Sequence, residues 1–221
     1  MAKKKLIHFQ ENLTFPHLFQ PRYSEIETKF WLYSKWHKDF FHNQNPIVLE
    51  LGCGKGEYTV GLAGKYPDKN FIGIDFKGAR LLRGSKTVMV EEMKNVAFIR
   101  TQVDHINKFF CPGEISEIWI TFPDPQHAKE RKRLTSPVFL NRYKEILSPQ
   151  GVIHLKTDDQ DLYNYTLDII SQYDHIQLFS TNNLYQSGYQ TDASQIQTFY
   201  EKMWLDAGKK ICYLQFNLNQ K

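Results

Sequence analysis

The sequence predicts an α/β fold in which a mostly parallel, seven-stranded sheet lies between helices on both faces. From Pro46 onward, short apolar runs alternate with segments of helical length, as in a parallel sheet covered on both sides. A glycine-rich turn closes the first apolar run at residues 52–56. The last run, at 210–217, alternates apolar and polar residues, which is typical of an antiparallel strand near a sheet edge.

Each element is assigned from its hydrophobic period and from the turn residues around it. The predicted strands cover residues 47–51, 71–75, 96–100, 117–121, 151–156, 175–180 and 210–217. The predicted helices cover residues 56–66, 77–93, 136–147, 159–172 and 195–206. Residues 1–45 are polar, basic and aromatic, and we predict an arm with a helix over Thr28–Phe41 whose aromatic face packs on the core. Residues 46–221 are predicted to form a single domain.

Length and composition restrict the class of protein. The 221 residues suffice for one domain with a sizeable core, and 41% hydrophobic with 24% charged residues is ordinary globular material. No apolar stretch approaches the roughly 20 residues of a membrane span, and the N-terminus lacks the continuous apolar region of a signal peptide, so we expect a cytoplasmic protein. The three cysteines and eight histidines show no metal-binding pattern. The net charge of +4 is compatible with nucleic-acid binding but does not establish it.

The stretch from Ile47 to Asp75 predicts a site for an adenosine-bearing cofactor. Gly52 and Gly54 follow the first buried strand, where a tight turn leads into a helix. Asp75 ends the next strand, and an acid at that position can accept both hydroxyls of an adenosine ribose. Packing alone is the alternative use of such a glycine turn.

The residues around this turn indicate which cofactor binds. A dinucleotide site requires G-x-G-x-x-G, and the third glycine is replaced here by Glu57. Glu57 and Glu50 would both repel a diphosphate, whereas Glu50 suits a cationic amino group such as that of S-adenosylmethionine. The chain also lacks a P-loop string. The pattern E-x-G-x-G-x-G, with an acid about 20 residues further on, resembles class I methyltransferases.

A rigid acidic loop follows the fourth predicted strand. Asp124 stands between Pro123 and Pro125, which fix the backbone on both sides of it. Ligands of open α/β sheets bind beyond the carboxyl ends of the strands, so Asp124 is expected where a methyl group and its acceptor meet. A surface turn is the alternative, because turns also use Asp and Pro.

A basic run comes directly after this loop. Its members are Lys129, Arg131, Lys132 and Arg133. Their position beside the expected site predicts contacts with nucleic-acid phosphates, to which the N-terminal Lys3–Lys5 would add. Phosphate contacts supply affinity without sequence choice. A solvated charged face is the alternative.

Several motifs together resemble one family, the bacterial tRNA (guanine-N7)-methyltransferases. They are LELGCGKGEY, GID, FPDP followed by a basic stretch and RLT, HLKTD, and TFYEKMWLDAGKKICYLQF, in family order over most of residues 47–217. The resemblance implies a Rossmann-like class I methyltransferase fold, S-adenosyl-L-methionine as the cofactor, and no metal. It also implies methyl transfer to N7 of a guanosine in the variable loop of tRNA. Monomer and homodimer both remain open.

The resemblance also assigns site residues. The expected cofactor-binding residues are Glu50, Gly52, Gly54, Asp75, Asp104 and Asp124, of which Asp124 is also the expected catalytic residue. The expected substrate-binding residues are Lys129, Arg131, Asp158, Thr198, Tyr200 and Glu201. The chain departs from the family's P-D-P-W-P-K-K-R-H at Gln126, His127 and Ala128, which displaces the first lysine to Lys129.

Some of these residues also have structural interpretations. Asp158 and Asp104 could each be the N-cap of a helix. Thr198 and Glu201 have the spacing of a capping box and could simply start a helix. Glu50 and Asp75 are harder to explain in this way, because charged residues at buried strand tips need a partner.

The chemistry of guanine N7 fits a site of this kind. N7 has a lone pair and no proton, so the reaction needs in-line placement rather than a general base. A carboxylate beside the ring stabilises the positive charge that develops there, and we assign this role to Asp124. The alternatives are a methyltransferase acting on another nucleobase position, a small-molecule methyltransferase, and a non-catalytic tRNA-binding relative.

Overall fold

The computed structural model describes residues 10–219, which form one eight-stranded sheet in the order β1-β4-β3-β2-β5-β6-β8-β7. The strands are β1 (Leu18–Phe19), β2 (Ile47–Leu51), β3 (Asn70–Asp75), β4 (Val96–Arg100), β5 (Ile115–Thr121), β6 (Leu147–Thr157), β7 (Ile176–Thr181) and β8 (Cys212–Asn217). Strands β1 to β6 pair in parallel, and β8 lies antiparallel between β6 and β7. The predicted α/β class with a mostly parallel sheet is therefore confirmed, with eight strands in place of seven.

Helices cover both faces of the sheet. They are α1 (Glu57–Lys65), α2 (Gly78–Val90), α3 (Pro137–Ile146), α4 (Gln160–Gln172), α5 (Asp192–Gln195) and α6 (Phe199–Asp206). One core cluster joins α3 and α4 to residues such as Leu49 and Leu155, and a second joins α1 and α2 to residues such as Val48 and Trp119. Alternate residues of the strands thus enter opposite cores, which is why the central strands are apolar throughout.

The N-terminal arm differs from the prediction. No continuous helix covers Thr28–Phe41; turns lead into a single π-helical segment at Trp36–Phe41. Ser34 has a left-handed backbone (φ 60°), which interrupts a helix, and the buried Trp36 donates from its indole N–H to the carbonyl of Phe109 at 3.0 Å. The predicted packing of aromatic side chains on the core is confirmed for Phe30, Trp36 and Phe40, whereas Trp31 is 57% exposed. The division into domains at residue 45 stays a prediction.

The predicted helix at 195–206 is also interrupted. Helix α5 ends at Gln195, Ile196 has an extended backbone, and α6 begins only after Thr198. Strand β1 has no counterpart in the prediction, because two residues carry no readable period. The basic residues Lys3–Lys5 lie outside the described residues. Among residues 10–219, no helix has both the length and the apolar character needed to span a bilayer.

The topology brings the expected site residues to one edge. Leu51 lies in register with Ile74 on one side and Ile120 on the other, so the chain segments that leave β2, β3 and β5 emerge together. Strand order reverses between β2 and β5, and an open α/β sheet has its ligand crevice at such a point.

Candidate active site

A cavity of about 1090 Å³ opens at the carboxyl edge of the strands. Its wall includes the glycine-rich turn at Gly52 and three of the predicted acids, Asp75, Asp104 and Asp124. Cations also line it, namely Lys77, Arg80, Lys129, Arg131, Lys132 and Arg142. The structure therefore places acids and cations from segments far apart in the sequence around one space.

The glycine-rich turn is fastened to the strand beside it. Gly52 and Gly54 both have left-handed backbones (φ 73° and 57°), where a side chain would be strained. The N–H of Gly52 donates to the carbonyl of Ile74 at 2.8 Å, and that of Gly54 donates to Asp75 Oδ2 at 2.9 Å. The other oxygen of Asp75 accepts from the N–H of Lys77 at 2.7 Å. Each oxygen retains a lone pair, so the carboxylate can still accept a ribose hydroxyl.

Glu50 lies beneath the turn instead of in the cavity wall. It is 4% exposed, and its carboxylate accepts from the backbone N–H of Thr59 at 2.8 Å and from the hydroxyls of Thr59 and Thr121. Burial raises the pKa of Glu50 to about 7, although these hydrogen bonds oppose the shift. Burial also raises the pKa of the Cys53 thiol, and the charges of Glu50 and Asp75 add to that effect. When Glu50 is ionised, it and Asp75 place negative charge at the turn, which favours a cation above it.

Asp124 stands on a tightly folded loop. Phe122 and Gln126, on either side of it, have left-handed backbones (φ 48° and 49°), and the N–H of Phe122 donates to the carbonyl of Lys156 at 2.7 Å. Asp124 Oδ1 accepts from the N–H of Gln126 at 3.1 Å, which is an Asx turn. None of residues 10–219 donates to Oδ2. The turn that was the alternative interpretation and a position in the cavity wall thus coexist at Asp124.

Two side chains further along attach this loop to the rest of the domain. Arg133 donates from Nε to the carbonyl of Pro125 at 3.0 Å, and its guanidinium lies 4.3 Å from the ring centroid of Tyr165. His127, one of the residues at which the chain departs from the family loop, pairs with Asp159 at 3.1 Å. The loop is therefore held from both sides.

Arg133 corrects the interpretation of the basic run. Its side chain is buried, with 5% of the residue exposed, so the predicted phosphate contact at this position is wrong. The hydrogen bond and the aromatic ring described above, with Glu130 Oε1 at 3.7 Å from Nη1, offset part of the cost of burying the guanidinium. Lys129, Arg131 and Lys132 line the cavity, where a phosphate can reach them.

Asp104 and Asp158 are not N-caps. Asp104 lies inside a short 3₁₀ helix, Val103–Lys108, and its Oδ1 is 3.7 Å from Nη2 of Arg142. Asp158 accepts from Nζ of Lys209 at 2.6 Å, while its neighbour Asp159 caps α4 by accepting from the N–H of Leu162 at 2.7 Å. The capping alternative is therefore wrong for both acids, and Asp158 lies outside the set of residues that line the cavity.

The Thr198–Glu201 segment forms the predicted capping box. The N–H of Glu201 donates to Thr198 Oγ1 at 3.3 Å, and the N–H of Thr198 donates to Glu201 Oε2 at 3.4 Å. Glu201 is fully buried and forms an ion pair with Lys156 at 2.7 Å, and Tyr185 donates its hydroxyl to Glu201 at the same distance. Tyr200 points outward and is 48% exposed. The structure does not bring these residues into the cavity wall, and their substrate contacts stay predictions.

Several residues of the site were missed by reasoning from the sequence. Lys77 and Arg142 line the cavity, and Lys156 is buried with a pKa lowered by burial and partly restored by Glu201. Lys156, next to the end of the central strand β6, was a readable signal, because a charge at a buried strand position needs a partner. Lys77 and Arg142, at the start of α2 and within α3, carried no such signal, because helices also display cations on faces exposed to solvent.

Comparisons with known proteins identify the family and the fold. A sequence family described as "Putative methyltransferase" matches residues 44–214. A protein from Bacteroides fragilis (strain YCH46), named tRNA (guanine-N(7)-)-methyltransferase, is 49% identical over 222 residues, covering 100% of this chain and 88% of the relative. One of the same name from Christiangramia forsetii is 49% identical over 221 residues, covering 98% and 99%. The solved 16S rRNA methyltransferase KamB superposes with a TM-score of 0.62 over 80% of this chain and 89% of its own, at 11% identity, and supports the fold alone.

The sheet order, the glycine turn and the acid at the tip of β3 define a class I methyltransferase. Sequence identity of 49% with the two named relatives, over almost the whole chain, then indicates the family within this class. The protein belongs to the tRNA (guanine-N7)-methyltransferase family, as its motifs predicted.

Proposed function

We propose that this protein transfers the methyl group of S-adenosylmethionine to N7 of a guanosine in the variable loop of tRNA, with Asp124 at the reaction centre. The observation that carries the proposal is the placement of Asp75 and Asp124 on one cavity that is rimmed by Lys129, Arg131 and Lys132. Such a cavity offers acids for a cationic cofactor and cations for a polyanionic substrate. Two relatives that match 98% or more of this chain are named tRNA (guanine-N(7)-)-methyltransferase.

The residues of the glycine turn fit the cofactor. A Cβ built on Gly52 meets no atom within 4 Å, so the turn leaves open space against the cavity where a ligand can approach the backbone. Asp75 retains acceptor capacity for the ribose hydroxyls, and Glu50 contributes negative potential beneath the turn. When bound, S-adenosylmethionine supplies a methyl group on a sulfonium centre. Asp104 is expected to contact the same cofactor from the 3₁₀ helix.

Asp124 has the position and the freedom that the reaction demands. Its loop is fixed by Arg133 and by the N–H of Phe122, while Oδ2 has no donor among residues 10–219. A carboxylate held in this way stabilises the positive charge that develops on guanine, or accepts from N1–H and the N2 amino group to hold the ring in line. No residue has to remove a proton, because N7 carries none.

The tRNA backbone is expected to lie across the cationic rim. Lys129, Arg131 and Lys132 would contact phosphates, with Lys77 and Arg80 extending the surface on the other side of the cavity. Asp158, Thr198 and Tyr200 are proposed to contact the nucleoside, and the buried Glu201 is proposed to hold this substrate-binding segment in place through Lys156. We also propose a cytoplasmic location, where tRNA is found, and leave open whether the protein is a monomer or a homodimer.

A product analysis tests this proposal. Purified protein is incubated with radiolabelled S-adenosylmethionine and unmodified bulk tRNA, and the digested nucleosides are separated. Label in 7-methylguanosine is the expected result, and oligonucleotide fragments of a second, partly digested sample should place it in the variable loop. Label in another nucleoside would retain the enzyme class and overturn the N7 assignment. Absence of label, with cofactor binding measured in the same sample, would show a non-catalytic tRNA-binding relative.

A further inference from the structure

An exposed aromatic pair lies beside the glycine-rich turn. Phe199 and Tyr200, the first two residues of α6, expose 54% and 48% of their surface, and their ring centroids are 5.6 Å apart in an edge-to-face arrangement. Two adjacent large apolar side chains left in solvent near a functional cavity indicate a contact surface.

A row of aromatic rings joins this pair to the cavity. The ring of Trp204 lies 6.2 Å from that of Tyr200 and 4.9 Å from that of Phe122, measured between centroids, and Phe122 lines the cavity. At the other end, the N–H of Phe199 donates to Glu57 Oε2 at 3.2 Å, which fixes the start of α6 against α1. The pair is therefore held in a defined position at one border of the site.

A cation completes this surface. Nζ of Lys55, inside the glycine turn, lies 5.1 Å from the centroid of Phe199 and 5.3 Å from that of Tyr200. In the described part of the chain Lys55 forms no salt bridge. Aromatic faces beside an ammonium group that has no carboxylate partner are complementary to a nucleotide, since one can stack on the base and the other can attract the phosphate.

We propose that Phe199, Tyr200 and Lys55 form a stacking platform for an unpaired nucleotide next to the methylated guanosine. Enzymes that act on a base draw it out of its stack, which leaves the neighbouring base exposed. The platform replaces that lost stacking with the face of Phe199 and places the neighbour's phosphate near Lys55. The inference rests on the proposed function and adds two binding residues, Phe199 and Lys55, that the family motifs do not assign.

Affinity measurements on single variants test the platform. Phe199→Ala is expected to weaken tRNA binding about tenfold, because stacking of one base is lost. Phe199→Trp is expected to bind as tightly as the wild type. Tyr173→Ala is the matched control. Tyr173 is 46% exposed, but it lies just before β7, at the amino ends of the parallel strands and away from the cavity. An unchanged dissociation constant for S-adenosylmethionine in each variant shows that the fold is intact, and equal tRNA affinity of Phe199→Ala and wild type would overturn the platform.

A modified tRNA identifies the contact itself. In one tRNA the nucleotide 5′ of the methylated guanosine is made abasic, and in another the 3′ nucleotide. The wild type should lose affinity for one of them, and Phe199→Ala should lose nothing further on that tRNA. Additive losses on both would refute the stacking contact. Lys55→Met should lower the salt dependence of binding by about one counterion.

The two proposals fail separately. Wild-type protein is first assayed for 7-methylguanosine in unmodified tRNA, which tests the reaction alone. If the nucleoside forms and Phe199→Ala still binds tRNA like the wild type, the platform is refuted and the methyl transfer stands. If wild-type protein binds the cofactor and forms no 7-methylguanosine, the methyl transfer is refuted, and with it the assignment of the neighbouring nucleotide.

Discussion

Arg133 and Pro125 are joined by a hydrogen bond of 3.0 Å from the arginine Nε to the proline carbonyl, eight positions back along the chain. This bond fixes the loop that carries Asp124. The donor is Arg133, a residue that the sequence alone would place on the surface. The guanidinium also lies over the ring of Tyr165 and is buried. Its positive charge therefore interacts with groups inside the domain and does not contribute to the cationic rim of the cavity.

Replacement of Arg133 should therefore affect turnover more than tRNA binding. Arg133→Ala is expected to lower kcat at least tenfold, because the Asp124 loop loses its anchor, while the salt dependence of tRNA binding stays unchanged. Lys129→Gln is the matched variant, and it should reduce that salt dependence by about one counterion with a smaller loss of kcat. Binding titrations at several salt concentrations and single-turnover rates measure the two effects separately for each variant. A reduced salt slope in Arg133→Ala would return this residue to the phosphate-binding set.

Asp124→Ala should abolish most of the chemistry and leave binding intact. Loss of a group that stabilises transition-state charge costs about 10²-fold to 10³-fold in kcat. The dissociation constants for tRNA and for S-adenosylmethionine should change much less. Glu91→Ala, at the far end of α2, is the control and should behave as wild type. Single-turnover methylation rates measure the effect, and a wild-type rate in Asp124→Ala would refute the assignment.

Cofactor affinity should rise with pH through the titration of Glu50. Its pKa is raised to about 7 by burial, so the folded protein without cofactor keeps the proton up to that pH. A bound cation favours the ionised form, and binding must therefore release the proton below pH 7. The dissociation constant for S-adenosylmethionine should fall about tenfold between pH 6 and pH 8, while Glu50→Gln should show a flat profile. Calorimetric titration at each pH measures both the dissociation constant and the number of protons released. A dissociation constant of the wild type that does not change with pH would show that cofactor binding is not coupled to ionisation of Glu50.

Stability toward acid should depend on Glu117. Burial opposes ionisation of this carboxyl, but the hydrogen bond and charge of His154, with Lys69 and Trp119, lower its pKa to about 2. A lowered pKa stabilises the fold above the usual value of 4.5, and that stabilisation of about 3 kcal/mol is lost as the pH falls from roughly 5 toward 2. Urea unfolding of wild type and Glu117→Gln between pH 3 and pH 7 should show a steeper decline for the wild type. If the free energy of unfolding of both proteins declined equally with falling pH, the lowered pKa of Glu117 would be contradicted.

The outline of the fold and the acids of the cavity could be predicted because their signals are local. The apolar run of β2, the glycine turn and the acid at the tip of β3 each follow from neighbours in the sequence. Arg133 and Glu50 could not be placed in this way. The sequence of a basic run does not distinguish an arginine that is exposed to solvent from one that folds back onto Tyr165. Likewise, the sequence at the end of a strand does not show whether an acid lies in the cavity wall or beneath the turn. Their positions depend on partners 32 or 71 residues away, or on a short contact across the turn at Thr59.

The placement of β8 affects the way this chain is made. Because β8 fills the gap between β6 and β7, the sheet has two open edges in its interior until residues 212–217 arrive. The sheet therefore cannot close before residues 212–217 have been synthesised, because β6 and β7 meet only through β8. A chain interrupted before Cys212 exposes unpaired strand edges that recruit other chains. Early termination should accordingly yield aggregated material that proteases remove, in place of a shortened enzyme.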